Sequence, residues 1–129
     1  MLPLCKEEKI GVIPWCPLAS GRLAREWDES TPRAKIDEIS KSLYTPTAGP
    51  DRKVFDRLTE VAKKRGVPRA QLALAWLLQK ETVTAPIVGT TKISHIEDAV
   101  AAVSLTLTAE EMASLEEPYV PHPVIGIEV

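Results

Sequence analysis

Two short apolar runs, Ile10-Gly11-Val12-Ile13-Pro14-Trp15 and Ala85-Pro86-Ile87-Val88, constrain this chain more than anything else in it. Both favour β-branched residues, and neither alternates apolar with polar, which is the pattern of strands covered on both faces in a parallel sheet. The chain between them is long enough for crossover helices, so they read as parallel neighbours. Two such strands cannot complete a sheet, because their outer edges and faces would meet water with backbone groups and apolar side chains unsatisfied. The architecture that fits best is therefore α/β: the last quarter of a (β/α)8 barrel, with strands seven and eight, their helices and a C-terminal helix, incomplete as it stands. In such barrels phosphate commonly binds at the loops after the final two strands, beside a helix N-terminus.

The elements between and around the runs follow from spacing. Leu2, Leu4 and Cys5 before Lys6-Glu7-Glu8-Lys9 look like the closing turns of an amphipathic helix. Asp51 to Arg65 carries Val54, Leu58 and Val61 at helical spacing, flanked by Phe55 and Ala62, and Gly66 stands where a left-handed C-terminal cap belongs. Pro68 suits the start of a second helix, Arg69 to Gln79, which is apolar almost all round and so largely buried. After the second run, Ile96, Val100 and Val103 recur at helical spacing, and Ser94 with Glu97 three residues on reads as a capping box. Thr108 with Glu111 reads as another, opening a last helix that Pro118 ends, before an extended tail from Tyr119 to Val129. Residues 24–50, rich in charge, Ser, Thr and Pro, read as a long loop with a short helix around Lys35 to Ser40, and loops of this length serve as lids or linkers. Trp27 and Tyr44 favour the lid.

Each run ends in a loop suited to a ligand. Gly89 lets the backbone approach closely, and Thr90, Thr91 and Lys92 bring two hydroxyls and an ammonium to the free amides of the following helix, a combination that suits a phosphate. An ordinary strand-to-helix turn with a solvated lysine fits the same residues. The other loop, Cys16 to Leu23, is punctuated by Pro17 and Gly21.

Composition narrows the partners. A formal charge of −2 with both signs interspersed offers no basic field for nucleic acid and no polybasic segment for a membrane surface. No apolar run approaches the roughly 18 residues of a membrane span, and the first residues lack the build of a signal peptide. Two cysteines, Cys5 and Cys16, form neither a CxxC motif nor a disulfide framework, which points to a reducing, cytoplasmic setting. The hydrophobic fraction of 44% suffices for a core, and the length implies one domain.

The segment GVIPWCPLASGRL resembles the stretch after the seventh barrel strand of the aldo-keto reductases, and PIVGTTKISHIEDAV resembles that family's eighth strand and following helix. RGVPRAQLALAWLL and LTAEEMASLEE are similar to the family too, so the likeness covers nearly the whole of residues 1–129 as a partial domain. It implies a barrel oxidoreductase that transfers hydride from NADPH to an aldehyde or ketone, with this chain carrying the NADP(H) half-site. By position, Trp15 would stack on the nicotinamide, and Leu18, Ser20, Gly21 and Leu23 would line the pyrophosphate, largely through backbone amides. Gly89 and Thr90 would form the phosphate turn, Thr91, Lys92 and His95 would hold the adenosine 2′-phosphate, and Asp98 would approach the adenine. Cys16 stands where the family usually has serine, and Ala99 where it often has an amide side chain.

The family's catalytic tyrosine and its aspartate, lysine and histidine partners belong to the first half of the barrel and have no counterpart here. Tyr44, Tyr119, His95 and His122 do not match them, and no nucleophile–base motif, metal-ligand spacing or phosphate-binding P-loop occurs. Three readings follow: the C-terminal part of an aldo-keto reductase, needing the remaining strands or self-association to cover its faces; a non-catalytic truncated protein that keeps a nucleotide- or partner-binding surface; or a product that does not fold alone.

Overall fold

The computed structural model describes residues 1–29, 31–32 and 36–121. The helices among them are α1 (Leu2–Glu7), α2 (Glu38–Tyr44), α3 (Ala48–Arg65), α4 (Arg69–Leu78), α5 (Ile93–Val103) and α6 (Ala109–Glu116), with one 3₁₀ turn at Ala19–Gly21. The core lies where α3, α4 and α6 meet: Leu58, Val61 and Ala62 pack with Leu72, Ala73 and Ala75, closed by Leu107 and Leu115. The α3–α4 corner is set by Gly66, whose φ of 68° only a residue without Cβ adopts freely, and whose amide reaches back to the Ala62 and Lys63 carbonyls. Pro68 is the residue just before α4, and Leu72 to Ala75 are buried as the apolar sequence requires.

The expected strands are much reduced. The two runs do lie parallel, but they meet only at two isolated bridges, Val12 with Val83 and Trp15 with Ile87. Three backbone bonds join them, from Val12 N to Thr82 O, Thr84 N to Val12 O and Ile87 N to Pro14 O. Pro14 and Pro86 have no N–H to give, so no continuous ladder can form through either segment. The approach is close. A Cβ on Gly11 would lie 2.5 Å from the Thr84 hydroxyl oxygen, which explains why the run is interrupted by glycine. The α/β pattern thus survives as helices around a rudimentary parallel pair, and that pair is open: Ile13 is 62% exposed, Trp15 68% and Ile87 53%.

Two helix starts separate the expectations. At α6 the capping box forms as read, with the Thr108 hydroxyl accepting from Glu111 N and the Glu111 carboxylate accepting from Thr108 N. At α5 the Ser94–Glu97 box does not form. The helix begins at Ile93, its cap position is Lys92 in extended backbone, and no side chain caps it. Thr90 is the cause: its hydroxyl accepts from Lys92 N at 3.2 Å and donates to Lys92 O at 3.0 Å, fixing the turn one step early and leaving Ser94 inside the first turn. The stripe of α5 is also turned outward. Ala102 is its buried residue, while Ile93, Ile96, Val100 and Val103 are exposed.

Residues 24–50 are not a structureless loop. Asp37 caps α2 by accepting from Ser40 N at 2.9 Å, α3 begins already at Ala48, and where a short helix is expected around Lys35 to Ser40 the structure has α2 from Glu38 to Tyr44, Lys35 itself lying outside the described residues. Trp27 packs on Phe55 with ring centroids 5.3 Å apart, and the guanidinium of Arg52 lies over both rings. These contacts tie the excursion to α3. Most of the tail expected to be extended, with His122, lies outside the described residues.

Candidate functional site

A cleft of about 560 Å³ opens at the C-terminal ends of the two bridged segments. Trp15 and Ile87, paired by a bridge, stand at its base, and Cys16 to Gly21 form one wall. The other wall is Gly89, Thr90 and the first turns of α5 through His95 and Asp98. Ala70 and Leu74 of α4 supply an apolar face, and Asp37 and Ser40 bring the start of α2 over the opening.

The first wall is wound tightly. Cys16, Ala19 and Ser20 have φ of 54°, 49° and 55°, a left-handed conformation that side chains disfavour and that persists only where surroundings hold it. Cys16 does the holding. Its Sγ accepts from Ser20 N at 3.1 Å and lies 3.5 Å from Ser20 Oγ and 3.7 Å from Tyr44 Oη. Burial, and then this contact with Cys16, push the Tyr44 phenol up to about 12. The loop's amides are spent internally: Ala19 N donates to Cys16 O, Gly21 N and Leu23 N to Leu18 O, and Arg22 N to Ala19 O. The expectation that this loop offers free backbone amides is therefore not met in this conformation; what it presents is the Ser20 side chain and the cation of Arg25. Leu23, expected at the same site, packs with Leu18 against the core instead.

On the second wall no side chain caps the first turn of α5, where His95 N donates to Lys92 O, and the positive end of the helix dipole lies beside Gly89 and Thr90. His95 and Asp98 face the cleft, one turn apart on α5. Thr91 and Lys92 are exposed at the rim and are not part of its lining. Asp98 is held from behind, its Oδ1 accepting from Gln71 Nε2 of α4 at 2.8 Å.

Of the residues singled out from sequence, Trp15, Leu18, Ser20, Gly21, Gly89, Thr90, His95 and Asp98 are brought to one cleft. Arg25 and Gln71 were not singled out. Arg25 lies four residues past Gly21 in the same loop, and its guanidinium reaches to 3.3 Å from a Cβ built on that glycine. Gln71 could be found only through space, since its partner is 27 positions away. No group of three or more metal-ligating side chains occurs among the described residues. The lining offers an aromatic face, an apolar wall, hydroxyls, the guanidinium of Arg25, the carboxylates of Asp37 and Asp98, and a helix N-terminus.

Residues 1–119 match the family model described as the Aldo/keto reductase family. The chain is similar to the versiconal hemiacetal acetate reductase of Aspergillus parasiticus, with 41% identity over 96% of this chain and 36% of that protein. It is similar to an aldo-keto reductase of Metarhizium robertsii, with 42% identity over 95% of this chain and 33% of the relative. Its fold is like that of a thermostable aldo-keto reductase solved with the inhibitor epalrestat, at a TM-score of 0.61 and 24% identity over 92% of this chain and 33% of that one. The chain spans about a third of the length of the curated relatives it matches.

Proposed function

The chain belongs to the aldo/keto reductase family, and from that membership we propose that its cleft is the NADP(H) half-site of a carbonyl reductase. The observation that carries this reading is the cleft's second wall, where an uncapped helix N-terminus, Thr90 and His95 adjoin one another with Lys92 at the rim. In the proposal, Thr91, Lys92 and His95 take the adenosine 2′-phosphate, the ammonium of Lys92 and the helix end meeting the anion's charge. Ser20 and Arg25, with Leu18 and Gly21 beside them, flank the pyrophosphate. Asp98 meets the adenine, and Trp15 offers its ring to the nicotinamide.

NADP(H) would supply the hydride; the chain's own residues bind and orient the nucleotide and exclude water from one side of it. In this reading the proton donor for the reduced carbonyl comes from the two thirds of the relatives' length that residues 1–129 do not span, and the exposed faces of Trp15 and Ile87 are where further strands would close the sheet. In that reading residues 1–129 are a partial reductase domain with a small aldehyde or ketone as substrate of the completed barrel, working in the cytoplasm. No helix among the described residues is long and apolar enough to cross a membrane.

A direct test titrates the 129-residue chain with adenosine 2′,5′-bisphosphate and with adenosine 5′-monophosphate by calorimetry. The bisphosphate should bind at least about tenfold tighter, the worth of one charge-assisted contact, and this advantage should shrink as salt is raised. Equal affinities would reject the 2′-phosphate site.

A further inference from the structure

The turn between α2 and α3 presents a hydroxyl that no side-chain hydrogen bond among the described residues engages. It belongs to Thr45, exposed at the end of α2 and followed by Pro46. The next threonine differs. Thr47 is buried, and its hydroxyl donates to the Asp51 carboxylate at 2.6 Å in the first turn of α3. A cation stands beside the open hydroxyl. Arg22, just past the loop Cys16 to Gly21, lays its guanidinium 5.2 Å from the centre of the Tyr44 ring and donates through Nη1 to the Tyr44 carbonyl at 3.4 Å, one peptide bond from Thr45. Among the described residues no carboxylate pairs with Arg22, so its charge is open to an anion.

We propose that Thr45 is a phosphorylation site for a proline-directed serine/threonine kinase, and that Arg22 clamps the phosphate it gains. In the transfer Thr45 Oγ1 attacks the γ-phosphorus of a nucleoside triphosphate, the bond from that phosphorus to the bridging oxygen breaks, the diphosphate leaves, and the hydroxyl proton passes to the kinase's base. The chain has a second Thr-Pro pair, Thr31-Pro32, but Thr31 is half-buried in the lining of the cleft, whereas Thr45 stands in the open at a helix end, where fraying gives an enzyme access. Two influences act on the new charge. The C-terminal end of the α2 dipole repels it, and the Arg22 guanidinium forms a charge-assisted bond with it, the stronger of the two. The pair ties α2, whose start lies over the opening of the cleft, to the loop that forms the cleft's first wall. Its operation does not depend on which molecule the cleft binds.

The test incubates the whole chain with a purified proline-directed kinase and magnesium ATP, maps the phosphate by mass spectrometry, and follows the product by phosphorus NMR. A synthetic peptide of residues 41–50 establishes that the kinase accepts the local sequence. The folded chain should take up phosphate on Thr45; Thr45→Val should lose most of the incorporation and Thr31→Val none. Phosphate on Thr31 in place of Thr45, or a folded chain left unmodified while the peptide is phosphorylated, overturns the site. The clamp is read from the second ionisation of the phosphate, whose ordinary midpoint is about 6. A neighbouring cation favours the dianion, so the phosphate's proton affinity should be about tenfold lower in the folded chain than in the same chain in urea. The other charges nearby are Lys41, one turn back on α2 and paired with Glu38, and Asp51, held by Thr47. They are common to every variant, so a change at position 22 isolates Arg22. Arg22→Gln keeps a donor for the Tyr44 carbonyl without the charge and should bring the folded value to within about twofold of that in urea. Equal proton affinities in the folded chain and in urea, or a depression that survives Arg22→Gln, overturns the clamp.

Discussion

Glu111 caps α6 and pins it to α3 at once. Its carboxylate accepts from Thr108 N at 2.8 Å and receives both Nε and Nη2 of Arg65 at 2.5 Å, a bidentate pair whose guanidinium also reaches the Thr106 carbonyl. The bond from Arg65, with the one from the Thr108 amide, holds the glutamate down to about 2, well below its ordinary 4.5. A carboxyl depressed in the folded state stabilises fully above its unfolded value and loses that contribution as pH falls through the folded one. Glu111→Gln should therefore lower the thermal midpoint of helical circular dichroism at neutral pH, with the gap between variant and parent closing as pH drops from about 4.5 to about 2. A gap that does not narrow with acid would show that the loss comes from shape and not from charge. This site was legible in the sequence because Thr108 and Glu111 act within one helical turn. Ser94 and Glu97 carry the same signature and do not cap, because the hydroxyl of Thr90 claims the turn first. Cys16, notable in sequence only as a departure from serine, proves to brace a left-handed loop, a role that depends on Tyr44 28 positions away.

Among the elements, the helices could be read from spacing and the strands could not be read to their full extent. Helical periodicity is local, so α3 with its Gly66 cap and the apolar α4 appear where the residues put them. A strand needs neighbours for its backbone groups. The run Ile10 to Trp15 has one, and Pro14 and Pro86 break even that pairing down to two bridges. Gly11 sits at the tightest point of this contact. Gly11→Ala should force the Thr84 side chain or the segments apart, costing roughly 1 to 3 kcal/mol as overpacking does, and widening the cleft whose base the pair forms. Gly49→Ala is the matched control: it lies in the first turn of α3 with nothing but its chain neighbours within 4 Å of the added carbon, so only crowding by the Pro50 ring opposes the gain in helix propensity, and the change should stay within about 1 kcal/mol. Denaturant midpoints of the two variants measure the contrast, and equal midpoints would contradict the close approach.

Across the whole molecule many large apolar side chains stand open, in a chain that spans about a third of the length of its curated relatives. Ile13, Trp15 and Ile87 on the rudimentary sheet and Ile93, Ile96, Val100 and Val103 on α5 are exposed, large apolar side chains of the kind that mark interaction surfaces when they cluster. The chain on its own should self-associate, seen as a sedimentation coefficient that rises with concentration; a monodisperse monomer with cooperative unfolding would favour an independent binding module. It should also reduce no aldehyde with NADPH above a protein-free control, because general acid catalysis worth ~10² to 10⁴-fold has no positioned donor among the described residues. Turnover by freshly purified chain would refute that. The central claim, that this cleft holds the phosphorylated half of NADP(H), is tested most directly in a completed barrel, with the chain joined to the preceding units of a related reductase. There Lys92→Ala should raise the NADPH dissociation constant ~10 to 100-fold, as loss of a charge-assisted phosphate contact does, and change that for NADH less than about threefold, since only NADPH carries the 2′-phosphate. Equal weakening of both cofactors, or no change in either, would contradict it.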